Sequence, residues 1–139
     1  MRLYPPVYTV YREALADDSV AGFHLSSGRI VSMPQLVVHR DPRWWDDPEE
    51  FRPERWGSDA SEAADGRDGA DRPEYAYYPF GGGPRRCIGE GLAVREAKLV
   101  LATIGRRFSL NYRDREPPEL IPMVTLHPEP PVAFETRAR

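Results

Sequence analysis

The sequence predicts a loop-rich α+β fold with short strands and hairpins and one long buried helix. Three observations carry that prediction. Fifteen prolines and eleven glycines punctuate 139 residues, and proline fixes φ and removes a backbone donor, so regular elements must be short. Several brief runs are rich in β-branched and aromatic side chains, the composition of strands. Only one segment, from Cys87 to Phe108, repeats apolar residues at the three-and-four spacing of a helical face.

Taken in order, Val7 to Arg12 reads as a first strand and Val20 to Leu25 as a second. Ser27-Gly28 supplies a turn, and Arg29 to Met33 returns as a third strand, which predicts a hairpin between the last two. Pro34 to Arg40 suits one or two helical turns, with Pro34 at a tolerated first position. From Asp41 to Trp56 the chain is dense in proline, charge and rings. Trp44, Trp45, Phe51 and Trp56 predict an irregular segment packed down on a core. Residues 57–73 lack large apolar side chains and read as a flexible loop.

The long helix is predicted over residues 88–108, with Ile88, Leu92, Ala97, Val100, Leu101, Ile104 and Phe108 along its stripe. Arg106 and Arg107 fall in its last turn, where cations suit the helix dipole. Ser109 to Tyr112, Leu120 to Leu126 and Val132 to Thr136 complete the reading as short strands separated by proline turns.

The formal net charge is −3, with both signs interspersed. That excludes a basic field for nucleic acid. The longest apolar stretch is far short of the roughly 20 residues a membrane span needs. Met1-Arg2-Leu3-Tyr4-Pro5-Pro6 breaks too early for a signal peptide. A soluble, cytoplasmic protein with no membrane span is expected. One cysteine excludes an internal disulfide and a thiolate-rich zinc cage.

That cysteine lies in Phe80-Gly81-Gly82-Gly83-Pro84-Arg85-Arg86-Cys87-Ile88-Gly89. Consecutive glycines permit backbone conformations closed to other residues and let a chain lie flat against a planar ligand. Cys87 stands where the helix begins, so free N–H groups and the positive dipole end favour a thiolate. Arg85 and Arg86 add positive charge, and Gly89 leaves room one turn on. A nucleophile, a redox sensor or a metal ligand all fit such a thiolate. A nucleophile would want a histidine base, and His24, His39 and His127 are all remote in sequence. The Gly-Lys-Ser/Thr of a phosphate loop is missing.

The segment matches F-x-x-G-x-R-x-C-x-G at every fixed position and so resembles the haem-binding signature of the cytochrome P450 superfamily. Pro53-Glu54-Arg55-Trp56 resembles the family's P-E-R-F element, and His39-Arg40-Asp41-Pro42 resembles the stretch before it. Arg2 resembles the arginine of the family's E-x-x-R helix. The resemblance runs from Arg2 to about Phe134 and implies the C-terminal portion of the P450 fold, a single partial domain over residues 1–139.

By that resemblance the cofactor is haem b, iron protoporphyrin IX, and Cys87 is its axial iron ligand. The family reaction inserts one atom of O2 into a small organic substrate, with electrons from a ferredoxin or flavin reductase partner. Phe80 would shield the sulfur, Gly83 and Gly89 would shape the loop, and Arg85 would pair with a haem propionate. The plain alternative for Arg85 is a solvated charge. Arg12 is a second propionate candidate by its spacing from Arg2. His39 is either a propionate contact or a structural histidine. Arg2 and Arg55 resemble two members of a buried Glu-Arg-Arg network. Val7, Tyr8, Thr9 and Val10 correspond to one substrate-facing strand, and Met123, Val124 and Thr125 to another at a hairpin tip. Arg86, Arg95 and Lys98 are candidates for receiving the redox partner. The glutamate of E-x-x-R would fall three residues before Arg2, and the family's central acid–alcohol helix is missing too. The chain is therefore expected to be a truncated fragment, inactive alone, or a non-enzymatic remnant binding haem weakly or not at all.

Overall fold

Pro5 and Pro6 deny the opening residues a ladder donor, and the first strand forms only beyond them. The computed structural model describes residues 1–56, 72–113 and 116–139. They divide into two compact units, Met1–Pro79 and Phe80–Arg139.

In the first unit β1 is Val10–Glu13, shorter than the strand expected from Val7. Residues ahead of it bond elsewhere: the Tyr8 carbonyl accepts from the Leu36 N–H at 3.0 Å, and Thr9 Oγ1 meets Ser32 Oγ at 2.9 Å. The single strand expected over Val20–Leu25 is two strands, β2 (Asp18–Val20) and β3 (Phe23–Leu25), paired as a hairpin. Between them Ala21 and Gly22 have φ of 50° and 84°. Two successive positive φ values make the tight turn that matches strand twist. The expected hairpin across Ser27-Gly28 is therefore replaced. Ser27-Gly28 does turn the chain, but β4 (Ile30–Met33) pairs antiparallel with β1, Val10 opposite Met33 and Glu13 opposite Ile30. Hydrogen bonds from Gly28 N–H to the Ala14 carbonyl at 2.8 Å and from Ala14 N–H to the Arg29 carbonyl at 2.9 Å close the β1–β4 ladder.

Helix α1 is Gln35–Val38, a single turn within the expected residues 34–40; Pro34 stands at its N-cap in extended backbone, ahead of the first helical position expected for it, and His39 is its C-cap. Beyond it, Trp45 is fully buried and centres the core. The guanidinium of Arg72 lies 3.8 Å from its ring centroid and that of Arg2 lies 5.0 Å away. Trp56 and Tyr77 approach the same ring at 5.8 and 6.1 Å. The packing expected of the aromatic segment thus holds for Trp45. It fails for Phe51, which is 83% exposed. Phe51 and Trp56 border a cavity of about 170 Å³ beside Arg2, Tyr4 and Tyr77, so this face of the segment is open. Of the expected flexible loop, residues 57–71 lie outside the described residues.

In the second unit α2 is Glu90–Arg107, inside the predicted 88–108 span. Its predicted burial is overturned: none of its residues is buried, and Leu92 and Leu101 are each 71% exposed. Periodicity tells which face is apolar but not what covers it, and β5 (Phe108–Tyr112) is its chief neighbour among the described elements. β5 pairs antiparallel with β8, Phe134–Ala138, which starts later than the Val132 expected. The strand expected over Leu120–Leu126 is instead a hairpin of β6 (Glu119–Pro122) and β7 (Leu126–Glu129). Among the described residues no helix is long and apolar enough to cross a membrane.

Candidate functional site

The cysteine loop closes on itself. Cys87 N–H donates to the Phe80 carbonyl at 2.9 Å, drawing the two ends of the loop together. Gly81 and Gly83 make the path possible, with φ of 74° and 64°, a region that side chains with a Cβ enter at a penalty. Gly83–Arg85 forms a single 3₁₀ turn, with Arg86 N–H returning to the Gly83 carbonyl at 3.0 Å. The cysteine itself lies just ahead of α2, whose first turn begins at Glu90 after the N-cap Gly89. Its side chain is exposed. A Cβ added at Gly89 would stand 3.8 Å from the Cys87 sulfur, an ordinary contact. Glycine here leaves one side of the sulfur uncovered.

The two arginines of the loop behave differently. Arg86 grips Glu90 with two hydrogen bonds of 2.6 and 2.7 Å. Those bonds hold the Glu90 carboxyl below its ordinary range. The positive charge expected beside the thiol is therefore partly balanced at Arg86. Arg85 is exposed, as are Arg95 and Lys98 on α2.

In the first unit, Arg2 donates to the carbonyls of His39 at 2.9 Å, Glu50 at 2.8 Å, and Pro48. Arg55 donates to the Asp47 carbonyl at 3.1 Å. Both arginines are buried, at 6% and 4% exposure. Carbonyl dipoles thus meet the Arg2 guanidinium where the resemblance anticipates a carboxylate. Burial and then the nearby charge of Arg55 push the Arg2 pKa down, the repulsion expected of two close cations.

His39 is fully buried. Its Nε2 accepts the Tyr78 N–H at 3.0 Å, and the Gln35 side-chain amide donates to the Tyr78 carbonyl at 2.8 Å. Desolvation, then the positive N-terminal amine, Arg2 and Arg40, lower the His39 pKa to about 4. Arg12 lies on β1, exposed, with its guanidinium turned to the Tyr11 carbonyl at 2.8 Å. Of the four residues expected on a substrate-facing strand, only Val10 is in β1; Val7 is exposed and Thr9 is buried on Ser32. Met123 and Val124 stand exposed at the tip between β6 and β7, and Thr125 Oγ1 meets His127 Nε2 at 2.8 Å. Phe80, Gly83, Arg85, Cys87 and Gly89 thus come together in one loop, and Arg2, His39 and Arg55 belong to the first unit.

Sequence reasoning missed Gln35 and Tyr78. The signal available was a pair of polar residues four apart, Gln35 and His39, flanking an otherwise apolar helix.

The sequence model of the family described as "Cytochrome P450" matches residues 1–134. The chain belongs to the cytochrome P450 family. Similar proteins include cytochrome P450 714C3 of Oryza sativa subsp. japonica, 41% identical over 80% of this chain and 20% of that protein. Cytochrome P450 3A6 of Oryctolagus cuniculus is 33% identical over 100% of this chain and 26% of its own length. A solved structure described as retinoic acid bound cyanobacterial CYP120A1 superposes with a TM-score of 0.86 at 32% identity, covering 99% of this chain and 30% of that one. The fold is that of the C-terminal portion of a P450, and the chain spans about a fifth to a third of the length of these relatives.

P450 proteins are haem-thiolate monooxygenases, and their cofactor is haem b. The donor set of this chain fits that group. A porphyrin brings four nitrogen ligands of its own, so one soft axial donor suffices. The exposed Cys87 sulfur, on a loop stripped of Cβ atoms at Gly81 and Gly83, would serve as such a donor. Among the described residues no cluster of three or more His, Cys, Asp or Glu is built for a bare metal ion.

Proposed function

We propose that Cys87 is the axial thiolate ligand of haem b, and that this chain forms the thiolate-ligand side of a haem-thiolate monooxygenase. The observation that carries the reading is the closed loop from Phe80 to Cys87, which leaves the sulfur exposed while its own N–H is satisfied. Bound haem supplies the capacity to insert one atom of O2 into a small organic substrate, and thiolate donation favours the O–O cleavage this needs.

The remaining roles belong to residues of the chain. The loop presents the sulfur in a fixed direction, and outer groups of this kind tune a ligand's basicity. Phe80 heads the loop, and its ring would limit water at the sulfur once haem is bound. Arg85, free of the Arg86–Glu90 pair, offers its planar fork to a propionate. Arg12 is a second propionate candidate, and Met123, Val124 and Thr125 offer a substrate-facing hairpin tip. His39, with Nε2 engaged by Tyr78, takes the structural role of its two readings. Arg95 and Lys98 are the more available cations for an acidic redox partner, of ferredoxin or flavin reductase type.

Turnover is proposed for this segment joined to the rest of the family fold, because the apolar stripe of α2 stands uncovered here. The same observation favours a second reading, a remnant that binds haem weakly or not at all. Titration of the chain with haem, followed at the Soret band, separates them. Saturation at one haem per chain, weakened at least about tenfold by Cys87→Ala, is expected. Absence of uptake by the unaltered chain would favour the remnant.

A further inference from the structure

Residues 74–78 are fastened to α1 within the first unit by an imidazole and an amide. His39 Nε2 accepts the Tyr78 N–H at 3.0 Å, and the Gln35 amide donates to the Tyr78 carbonyl at 2.8 Å. Gln35 and His39 are both fully buried. The rings of Tyr77 and Tyr78 lie 5.0 and 5.4 Å from the His39 ring. Tyr77 in turn approaches Trp56 at 4.6 Å and Trp45 at 6.1 Å. Ahead of it, the short 3₁₀ helix Glu74–Ala76 places the buried Ala76.

Of the two fastenings, only the imidazole can be turned from acceptor to donor by a proton. With Nε2 protonated, two N–H groups would face each other and the bond to Tyr78 would be lost. The surroundings offer such a charge little relief. The N-terminal amine and Arg2, from the start of the chain, and the adjacent Arg40 are the charged groups acting on the ring, and all are positive. Arg40 is itself paired with Glu49 at 3.0 Å. Burial raises the pKa of the Tyr78 phenol, so that neighbour stays neutral. Only the Arg2 backbone favours the charged imidazole, and its influence is the smallest. Burial first, then the positive neighbours, lower the His39 pKa from 6.5 to about 4. The bond therefore holds in full above about pH 6.5 and weakens as pH falls toward 4.

We propose that His39 is a proton-operated latch: its neutral ring holds residues 74–78 against α1 through the Tyr78 N–H, and protonation releases that segment while the β1–β4 sheet stays folded. The latch lies wholly in the first unit and stands apart from the haem-thiolate reading of Cys87.

The test follows amide hydrogen exchange in the full chain, without haem, at about pH 7.5 and about pH 5. Each rate is compared with that of the same amide unprotected at the same pH, which removes the intrinsic pH dependence. Protection at Tyr78 should fall about tenfold or more on acidification. At both pH values it should lie below that of the β1–β4 amides, as a local opening requires. His39→Gln keeps an acceptor that does not titrate in this range and should hold Tyr78 protection constant. In the unaltered chain, the ring nitrogen shifts of His39 should move over the range in which Tyr78 loses protection, a readout that stands even if the variant folds poorly. Equal protection of Tyr78 at the two pH values would show that the proton does not work the bond. A fall that persists in folded His39→Gln would assign it to another group. Equal protection of Tyr78 and the β1–β4 amides would show that the segment opens only with the whole chain. Each of these three results overturns the proposal.

Discussion

At the scale of single residues, His39 is buried as a neutral acceptor, and its environment sets a pH dependence. Its pKa is lowered from 6.5 to about 4 in the folded chain. Between those values the unfolded chain binds a proton that the folded one does not, so stability rises with pH across the window. The contribution is fully present above about 6.5 and is lost as pH falls to about 4. Denaturant midpoints measured from pH 7.5 down to 4 should decline, and His39→Phe should flatten the part between 5 and 6.5. An identical slope in the variant would mean that His39 titrates as it does unfolded. Little of this was legible in the sequence. The motif around Cys87 is contiguous, so its chemistry can be read directly. The partners of His39 lie 39 residues away at Tyr78 and 37 residues away at Arg2, and no local pattern announces them. Gln35 went unnoticed for the same reason.

At the scale of elements, the cysteine loop depends on backbone freedom at two glycines. Gly83 has φ of 64°, and no neighbouring atom lies within 4 Å of an added Cβ. Gly83→Ala therefore isolates conformational strain from steric clash. It should disfavour the observed loop by about 1–2 kcal/mol, read as weaker haem binding with global unfolding little changed. Equal haem affinity in the variant would mean that the loop does not hold this conformation when loaded. Elsewhere, strand-forming composition identified where strands lie but not how they pair. Val20 to Leu25 looks continuous because Ala21 is an ordinary residue, yet it turns with φ of 50°. The pairing of β1 with β4 then spans the whole β2–β3 hairpin, a non-local contact that turn chemistry alone does not predict. The long helix was legible in extent, since its spacing is intrinsic. Its burial was not, because burial needs a partner surface that periodicity cannot name.

At the scale of the whole molecule, the first unit is built around Trp45, flanked by two guanidinium groups and two further rings. The second carries the sulfur at the head of an exposed helix. The loop that presents the sulfur is closed within the second unit, by the Cys87 N–H on the Phe80 carbonyl. Thiolate ligation has a direct spectroscopic signature, because the axial ligand of a haem sets the position of its carbon monoxide band. The decisive measurement is the difference spectrum of the haem-loaded chain, reduced and exposed to carbon monoxide. A Soret band shifted strongly to the red, and lost in Cys87→Ala, is the predicted result. A band at the position of a histidine-ligated haem, unchanged in Cys87→Ala, would contradict the assignment of Cys87 as the iron ligand.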